Sequence, residues 1–154
     1  MAGHSHTEDW AGVAEARLRE HGHKASGPRS AVLESIGRQS CVVTAQDIVD
    51  DMRRRKQKAG IATVYRTLEV LADLKLVQRL DLGSESTRFE PAMPDGRHHH
   101  HHFVCRNCGD AIPFEDPALE RAIERLGKRL AASVDEHDVI LKGRCPGCTP
   151  TGGH

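Results

Sequence analysis

The chain has 154 residues, 29% of them charged and only 3% aromatic, with 22 basic side chains balanced by 22 acidic ones. That length allows one ordinary domain or two small ones, and cores built from Leu, Val, Ile and Ala rather than from aromatic rings. No run approaches the ~20 apolar residues of a membrane span, and Met1 to Trp10 lacks the charged and apolar regions of a signal peptide, so a cytoplasmic location with no membrane partner is expected. The charge is unevenly placed: residues 1–80 hold 13 Lys and Arg against 10 Asp and Glu, and residues 81–154 hold 9 against 12. A basic first half and an acidic second half suit a division between a nucleic-acid-facing part and a metal-binding part.

Residues 1–10 are polar and are expected to be disordered. From Ala11 to His21, the residues Val13, Ala14 and Leu18 mark a short amphipathic helix ended by Gly22. A second helix begins near Pro28 and carries Val32, Leu33 and Ile36 up to Gly37. A third begins at Thr44, an N-cap followed by Ala45-Gln46-Asp47, with Ile48, Val49 and Met52 as its apolar stripe. It runs into the basic stretch Arg53 to Lys58. After a turn at Ala59-Gly60, a fourth helix from about Ala62 to Lys75 turns Val64, Leu68 and Leu71 inward and leaves Ala62, Arg66, Glu69 and Asp73 outside. Helix, tight turn, helix with an exposed polar face is either a plain helical hairpin or a helix-turn-helix, whose second helix enters the DNA major groove. The strand-like runs Leu76 to Leu82 and Thr87 to Glu90, separated by Gly83 to Ser86, form a hairpin and tip the balance towards a winged helix. Pro91 to Arg97 reads as a hinge.

The second half centres on five consecutive histidines, His98 to His102, leading into Cys105-Arg106-Asn107-Cys108, with Cys145-Pro146-Gly147-Cys148 closing the unit. Two Cys-x-x-Cys knuckles signal a tetrahedral all-thiolate zinc site with metal–sulfur bonds of about 2.3 Å. The alternative, a pair of disulfides, needs an oxidising compartment. If the histidine run is a strand, its side chains alternate. His99 and His101 then face one way and His98, His100 and His102 the other, so one run can serve two metal sites. Ala111 to Phe114 is a short strand, Asp116-Pro117 opens a helix with Leu119, Ile123, Leu126 and Leu130 as its core stripe, and Val139 to Leu141 is a third strand after His137. Thr149 to His154 reads as a tail.

These features together resemble the ferric uptake regulator superfamily of metal-responsive transcription repressors. The resemblance is carried by Gly27-Pro28-Arg29, Thr44-Ala45-Gln46-Asp47-Ile48, Gly60-Ile61-Ala62-Thr63-Val64-Tyr65-Arg66-Thr67-Leu68, Phe89-Glu90, the run from His98 to Cys108, and the second knuckle, over residues 15–148. It implies an α+β protein: a winged helix-turn-helix DNA-binding domain at 11–90, a hinge at 91–97 and a small α/β dimerisation domain at 98–148. It also implies a homodimer that grips an inverted repeat in double-stranded DNA once metal is bound. Structural Zn2+ would sit on Cys105, Cys108, Cys145 and Cys148, and a second site on His99, His101, Glu120 and His137. The sensory site would use His100 and His102 with Glu90, and an ion bridging them would lock one domain orientation. Arg29, Thr63, Tyr65 and Arg66 would touch DNA, with Arg55 neutralising phosphate.

Two departures set this chain apart from the iron and peroxide sensors of that family. Val42 stands where those carry a histidine before Thr-Ala-x-Asp, with Cys41 one position earlier, and Pro113 stands where they carry an acid. Cys41, Asp81 and Asp95 remain as further donors. A site poor in oxygen donors favours Zn2+ over Fe2+ or Mn2+ as the regulatory ion, so the resemblance is nearest the zinc-sensing branch. A zinc hydrolase or deaminase is disfavoured, since neither His-Glu-x-x-His nor a His-x-Glu paired with Pro-Cys-x-x-Cys occurs. A zinc store without DNA binding is the other rival. No catalytic residues and no small-molecule substrate beyond metal ions are expected.

Overall fold

The computed structural model describes residues 7–39, 42–83, 86–92 and 100–149. They fall into two compact units, Met1–His98 and His99–His154. Ser40, Cys41, Asp95, His98 and His99 lie outside the described residues, as do residues 93–97 of the expected hinge and 150–154 of the expected tail.

In the first unit, α1 spans Thr7–Glu20, α2 Gly27–Arg38, β1 Val43–Thr44, α3 Ala45–Arg54, α4 Ile61–Asp73, β2 Val77–Leu80 and β3 Arg88–Pro91. The expectation of a disordered 1–10 is corrected for residues 7–10, residues 1–6 lying outside the described residues: the helix begins at Thr7, and Trp10 is buried with Ala14 and Leu18, one i, i+4, i+8 stripe. Burial of an indole outweighs the polar residues around it, because so large a ring removes much apolar area from water. At α2, Ser26 is the N-cap and accepts from the Arg29 amide, with Pro28 in the first turn. At α3, Thr44 and Asp47 form a reciprocal capping box: the Asp47 amide donates to Thr44 Oγ1 at 3.1 Å and the Thr44 amide to Asp47 Oδ2 at 2.8 Å. Ile36, Ile48, Val64, Leu68 and Leu71 are fully buried and bring α2, α3 and α4 onto one core.

α4 ends in a tight cap. Lys75 has a φ of 57°, the Leu76 amide donates to Leu71 O at 2.8 Å and the Lys75 amide to Ala72 O at 3.0 Å. This is the Schellman arrangement, here with Lys where glycine is usual. Beyond it β2 and β3 pair antiparallel with Gln78 opposite Glu90, and β3 also pairs with β1, Val43 opposite Phe89. The third strand, β1, goes beyond the expected hairpin.

The second unit holds β4 (His101–Cys105), β5 (Ala111–Phe114), α5 (Pro117–Arg129) and β6 (Ile140–Gly143), with sheet order β5-β4-β6. β4 runs antiparallel to β5 and parallel to β6, and Cys105 stands opposite Gly143. A parallel pair needs a crossover, which α5 supplies. Asp116 caps α5 by accepting from the amides of Ala118 and Leu119. The expected core stripe of α5 is corrected: Leu126 is 43% exposed and Leu130 65% exposed, and only Leu119 and Ile123 are half-buried. The periodicity is that of a buried face, but within one chain nothing described covers its far end.

Candidate metal centres and nucleic-acid interface

The two knuckles meet at the ends of adjacent strands. Register places Cys105 beside Gly143, two residues before Cys145, and the Arg106 amide donates to Gly143 O at 2.7 Å. Each knuckle is a backbone turn: the Gly109 amide returns to Cys105 O at 2.9 Å, with Gly109 at φ 79°, and the Cys148 amide returns to Cys145 O at 2.9 Å. A side chain at Gly109 would meet the strain of that left-handed backbone.

All four thiols are free, and one sulfur from each lies within 4.8 Å of every other. Cys108 Sγ and Cys145 Sγ are 3.7 Å apart. A tetrahedron with about 2.3 Å metal–sulfur bonds has edges of about 3.8 Å, so the donor set fits zinc, whereas a disulfide needs about 2.05 Å. Electrostatics agree. The backbone amides of Cys108 and Cys145 hold the Cys105 thiol down to about 6, against burial. The Asp110 amide also favours the Cys108 thiolate, yet Cys108 is pushed up to about 12 by the neighbouring Cys105 sulfur and by burial. Burial first, then Cys148 and Cys105, raises Cys145. The Cys105 sulfur therefore opposes ionisation of Cys108 and Cys145, a repulsion that a bound cation would offset.

A second cluster joins β4 to the crossover. Glu120 on α5 bridges two histidines: its Oε1 lies 2.7 Å from His101 Nε2 and its Oε2 2.8 Å from His137 Nε2. His101 is buried, and its Nδ1 accepts from the Val139 amide at 3.2 Å. The hydrogen bond from His101, ahead of that from His137, holds the Glu120 carboxyl below its ordinary range, against a desolvation that would raise it. Three of the four residues expected for the second site thus converge, and His99 lies outside the described residues.

His100 and His102 pack edge to face with ring centroids 4.9 Å apart, and His102 is buried. His100 immediately precedes β4 and His102 is its second residue, so with side chains alternating in extended chain the two fall on the side opposite His101. Glu90, the remaining residue of the expected sensory set, is a buried residue of β3 in the first unit. Among the further donors, Asp81 Oδ1 accepts from the Gly83 amide at 3.0 Å and so is engaged in its own turn.

In the first unit, α4 turns Tyr65 (49% exposed) and Arg66 outward, while Val64, Thr67, Leu68 and Leu71 are buried. Arg66 Nη2 lies 3.4 Å from Thr63 Oγ1. A groove of about 300 Å³ on one side of α4 is lined by Arg29, Thr63 and Arg66, and one of about 520 Å³ at its N-terminal end by Arg53, Lys58 and Thr63. Arg29 is steadied by donating to Lys24 O at 2.6 Å.

Arg55 differs from the other expected DNA contacts because it shares Asp51 with two further arginines. Asp51 accepts from Arg38 at 2.6 Å and Arg55 at 3.4 Å, with Arg54 at 3.6 Å. Burial alone would raise the Asp51 carboxyl, but Arg38 ahead of Arg55 brings it down to about 2. Sequence reading missed this network. Its signal was an acid among arginines at helical spacing, Asp51 with Arg54 and Arg55, but Arg38 comes from another helix.

A four-helix unit with a wing, followed in the chain by a small α/β unit carrying a thiol cluster and a histidine strand, is the build of a metal-responsive DNA-binding regulator. The chain matches the ferric uptake regulator family over residues 20–142 and belongs to it. It is similar to the ferric uptake regulation protein of Campylobacter jejuni, 31% identical over 133 residues that cover 85% of this chain and 83% of that one. It is also similar to the peroxide operon regulator of Bacillus subtilis, 30% identical over 138 residues covering 89% and 92% of the two chains. The crystal structure of the Vibrio cholerae ferric uptake regulator superposes with a TM-score of 0.75 at 28% identity, covering 85% of this chain and 98% of that one. Members of the family are transcription regulators and not enzymes. Among the described residues no helix is long and apolar enough to cross a membrane.

Proposed function

We propose that this metal-responsive transcription regulator is a zinc-responsive repressor that binds an inverted repeat as a homodimer. The observation that carries the zinc reading is the His100–His102 pair, two imidazoles 4.9 Å apart at the start of β4. With nitrogen donors in the majority, and Glu90 as the expected carboxylate, the set suits a four-coordinate ion better than one demanding six oxygen-rich positions. Cys105, Cys108, Cys145 and Cys148 would hold a structural zinc, which supplies folding energy and no chemistry. His101, Glu120 and His137, with His99, would hold a second ion.

On the DNA side, Tyr65 and Arg66 would enter the groove, Arg29 and Thr63 would anchor the flank, and Arg55 with its basic neighbours would neutralise phosphate. Arg55 is half-exposed even while paired with Asp51, so it can turn to a phosphate at the expense of a weak ion pair. The exposed far end of α5, with Leu126 and Leu130, supports pairing with a second copy. An iron-responsive reading is the second choice, favoured by the 31% identity to a protein named for ferric uptake.

The deciding experiment is operator binding by the full chain against buffered Zn2+, Fe2+ and Mn2+. Tightening at the lowest free zinc is expected, and tightening only with Fe2+ would select the second reading. His102→Ala should abolish the metal response while retaining the thiolate-bound zinc. Arg66→Ala should weaken specific binding by ~1–3 kcal/mol and relax preference at one position per half-site. If Arg66→Ala binds specific and scrambled DNA as the parent does, α4 is not the reading helix.

A further inference from the structure

The only tryptophan of the chain, Trp10, sits outside every site described so far, yet the residue is 3% exposed. Its Nε1–H is shared by two carbonyls, Leu76 O at 2.9 Å and Ala92 O at 3.1 Å. Both belong to one junction. The Leu76 amide closes α4 on Leu71 O, and Leu76 O also accepts from the Ala92 amide at 2.9 Å, just past the end of the β2–β3 ladder. Ala92 follows Glu90 by two residues, and in sequence it begins the segment that leads to His100. One indole therefore ties the C-terminus of α4, the start of β2 and the exit of β3. Filling the space requires no N–H group, since a bicyclic ring without one would pack equally well. What the N–H adds is a bond that weakens when Ala92 moves relative to Leu76, because each carbonyl needs its own direction and distance.

We infer that Trp10 is a positioning residue for the metal response: it makes the exit of β3 and the end of α4 move as one body, so that metal binding alters DNA affinity. This rests on the zinc-responsive reading above. A gain in affinity on metal binding is a coupling between two sites, and a compliant junction dissipates it.

The test uses the full chain with Trp10 replaced by Phe, and separately by benzothienylalanine, which keeps the bicyclic shape and replaces N–H by sulfur. For each, operator affinity is measured with and without Zn2+, alongside zinc content. The expected result is that zinc increases affinity about 3- to 10-fold less than in the parent, the weight of one buried hydrogen bond, with zinc content and zinc-free affinity unchanged. An undiminished zinc effect in the benzothienylalanine variant overturns the inference. So does an equal loss with and without zinc, which would mean a merely structural role. If the parent itself gains nothing from zinc, the zinc-responsive reading fails and the inference falls with it, whereas a responsive parent with unaltered variants sinks the inference alone.

Discussion

The two units are held together by different physics. The first has a continuous apolar core running from Trp10 to Phe89 and drawing on every helix. In the second, the buried hydrophobic residues among those described are Val104, Cys105 and Cys145, with His101 and His102 as buried polar neighbours. Of its larger apolar side chains, Phe103, Phe114, Leu119 and Ile123 are only half-buried, and Ile112, Leu126, Leu130, Val134 and Leu141 are exposed. Hydrophobic burial at roughly 25 cal/mol per Å² stabilises the first unit by itself. A unit with so small a core needs a metal or a partner surface, as small domains generally do. On the proposed reading, metal would act on the half whose own apolar core is the smaller.

The largest expected effect follows from removing a thiolate. A structural zinc contributes on the order of 10 kcal/mol of apparent folding free energy. Cys148→Ser should lose about one tightly held zinc per chain, and amide exchange should become fast through β4, β5 and β6 while α2 to α4 stay protected. Full zinc content and unchanged protection in the second unit would collapse the contrast. In the reverse direction, Leu68→Ala opens a cavity in the first core and should cost roughly 2–5 kcal/mol, read from denaturant unfolding of that unit, with zinc content untouched.

A smaller effect belongs to Asp51. Its folded carboxyl lies at about 2 against an ordinary 3.8, so the network stabilises the fold above pH 3.8 and loses that contribution as pH falls towards 2. Asp51→Asn should therefore cost roughly 2 kcal/mol at neutral pH, with the gap from the parent closing below pH 4. A gap independent of pH would show that packing rather than charge holds Asp51. Smallest is Lys75→Gly. With φ at 57°, Lys75 occupies a backbone region that favours glycine, and the change should raise the melting temperature slightly, by about 0.5–1 kcal/mol of stability.

Most of the first unit was legible because its signals are local. The stripes Ala14 with Leu18, Ile48 with Met52, and Val64 with Leu68 and Leu71 have helical spacing, and Thr44 with Asp47 is a cap readable within four residues. Trp10 was not legible: its partners are 66 and 82 residues away, and a polar run around one indole has no period. β1 is two residues long and exists through its pairing with β3. In the second unit the alternation of the histidines set His101 apart from His100 and His102; among the described residues His101 meets Glu120, and His100 and His102 meet each other. The stripe on α5 misled for the opposite reason, since periodicity reports that a face is apolar and not which molecule covers it. Glu120 was placed by resemblance, and its bridging of His101 and His137 is geometric information that no spacing encodes.

The parallel pairing of β4 with β6 sets an order of events. Cys105 and Cys108 are neighbours in sequence, but Cys145 reaches them only after β5 and the whole of α5 have been laid down and the crossover has returned. Closing so long a loop is entropically unfavourable and slow. The first knuckle alone makes a two-thiolate ligand that exchanges its ion readily, and tight capture waits for the second. If the four thiols hold zinc as proposed, ion capture would be a late step of folding, and refolding from chelated protein should show a slow phase whose rate stops rising with free zinc once crossover formation limits it. In a cell starved of zinc, a newly made chain would stall with its second half open to proteases, so the supply of competent regulator would itself record how much zinc was present when the molecule was made.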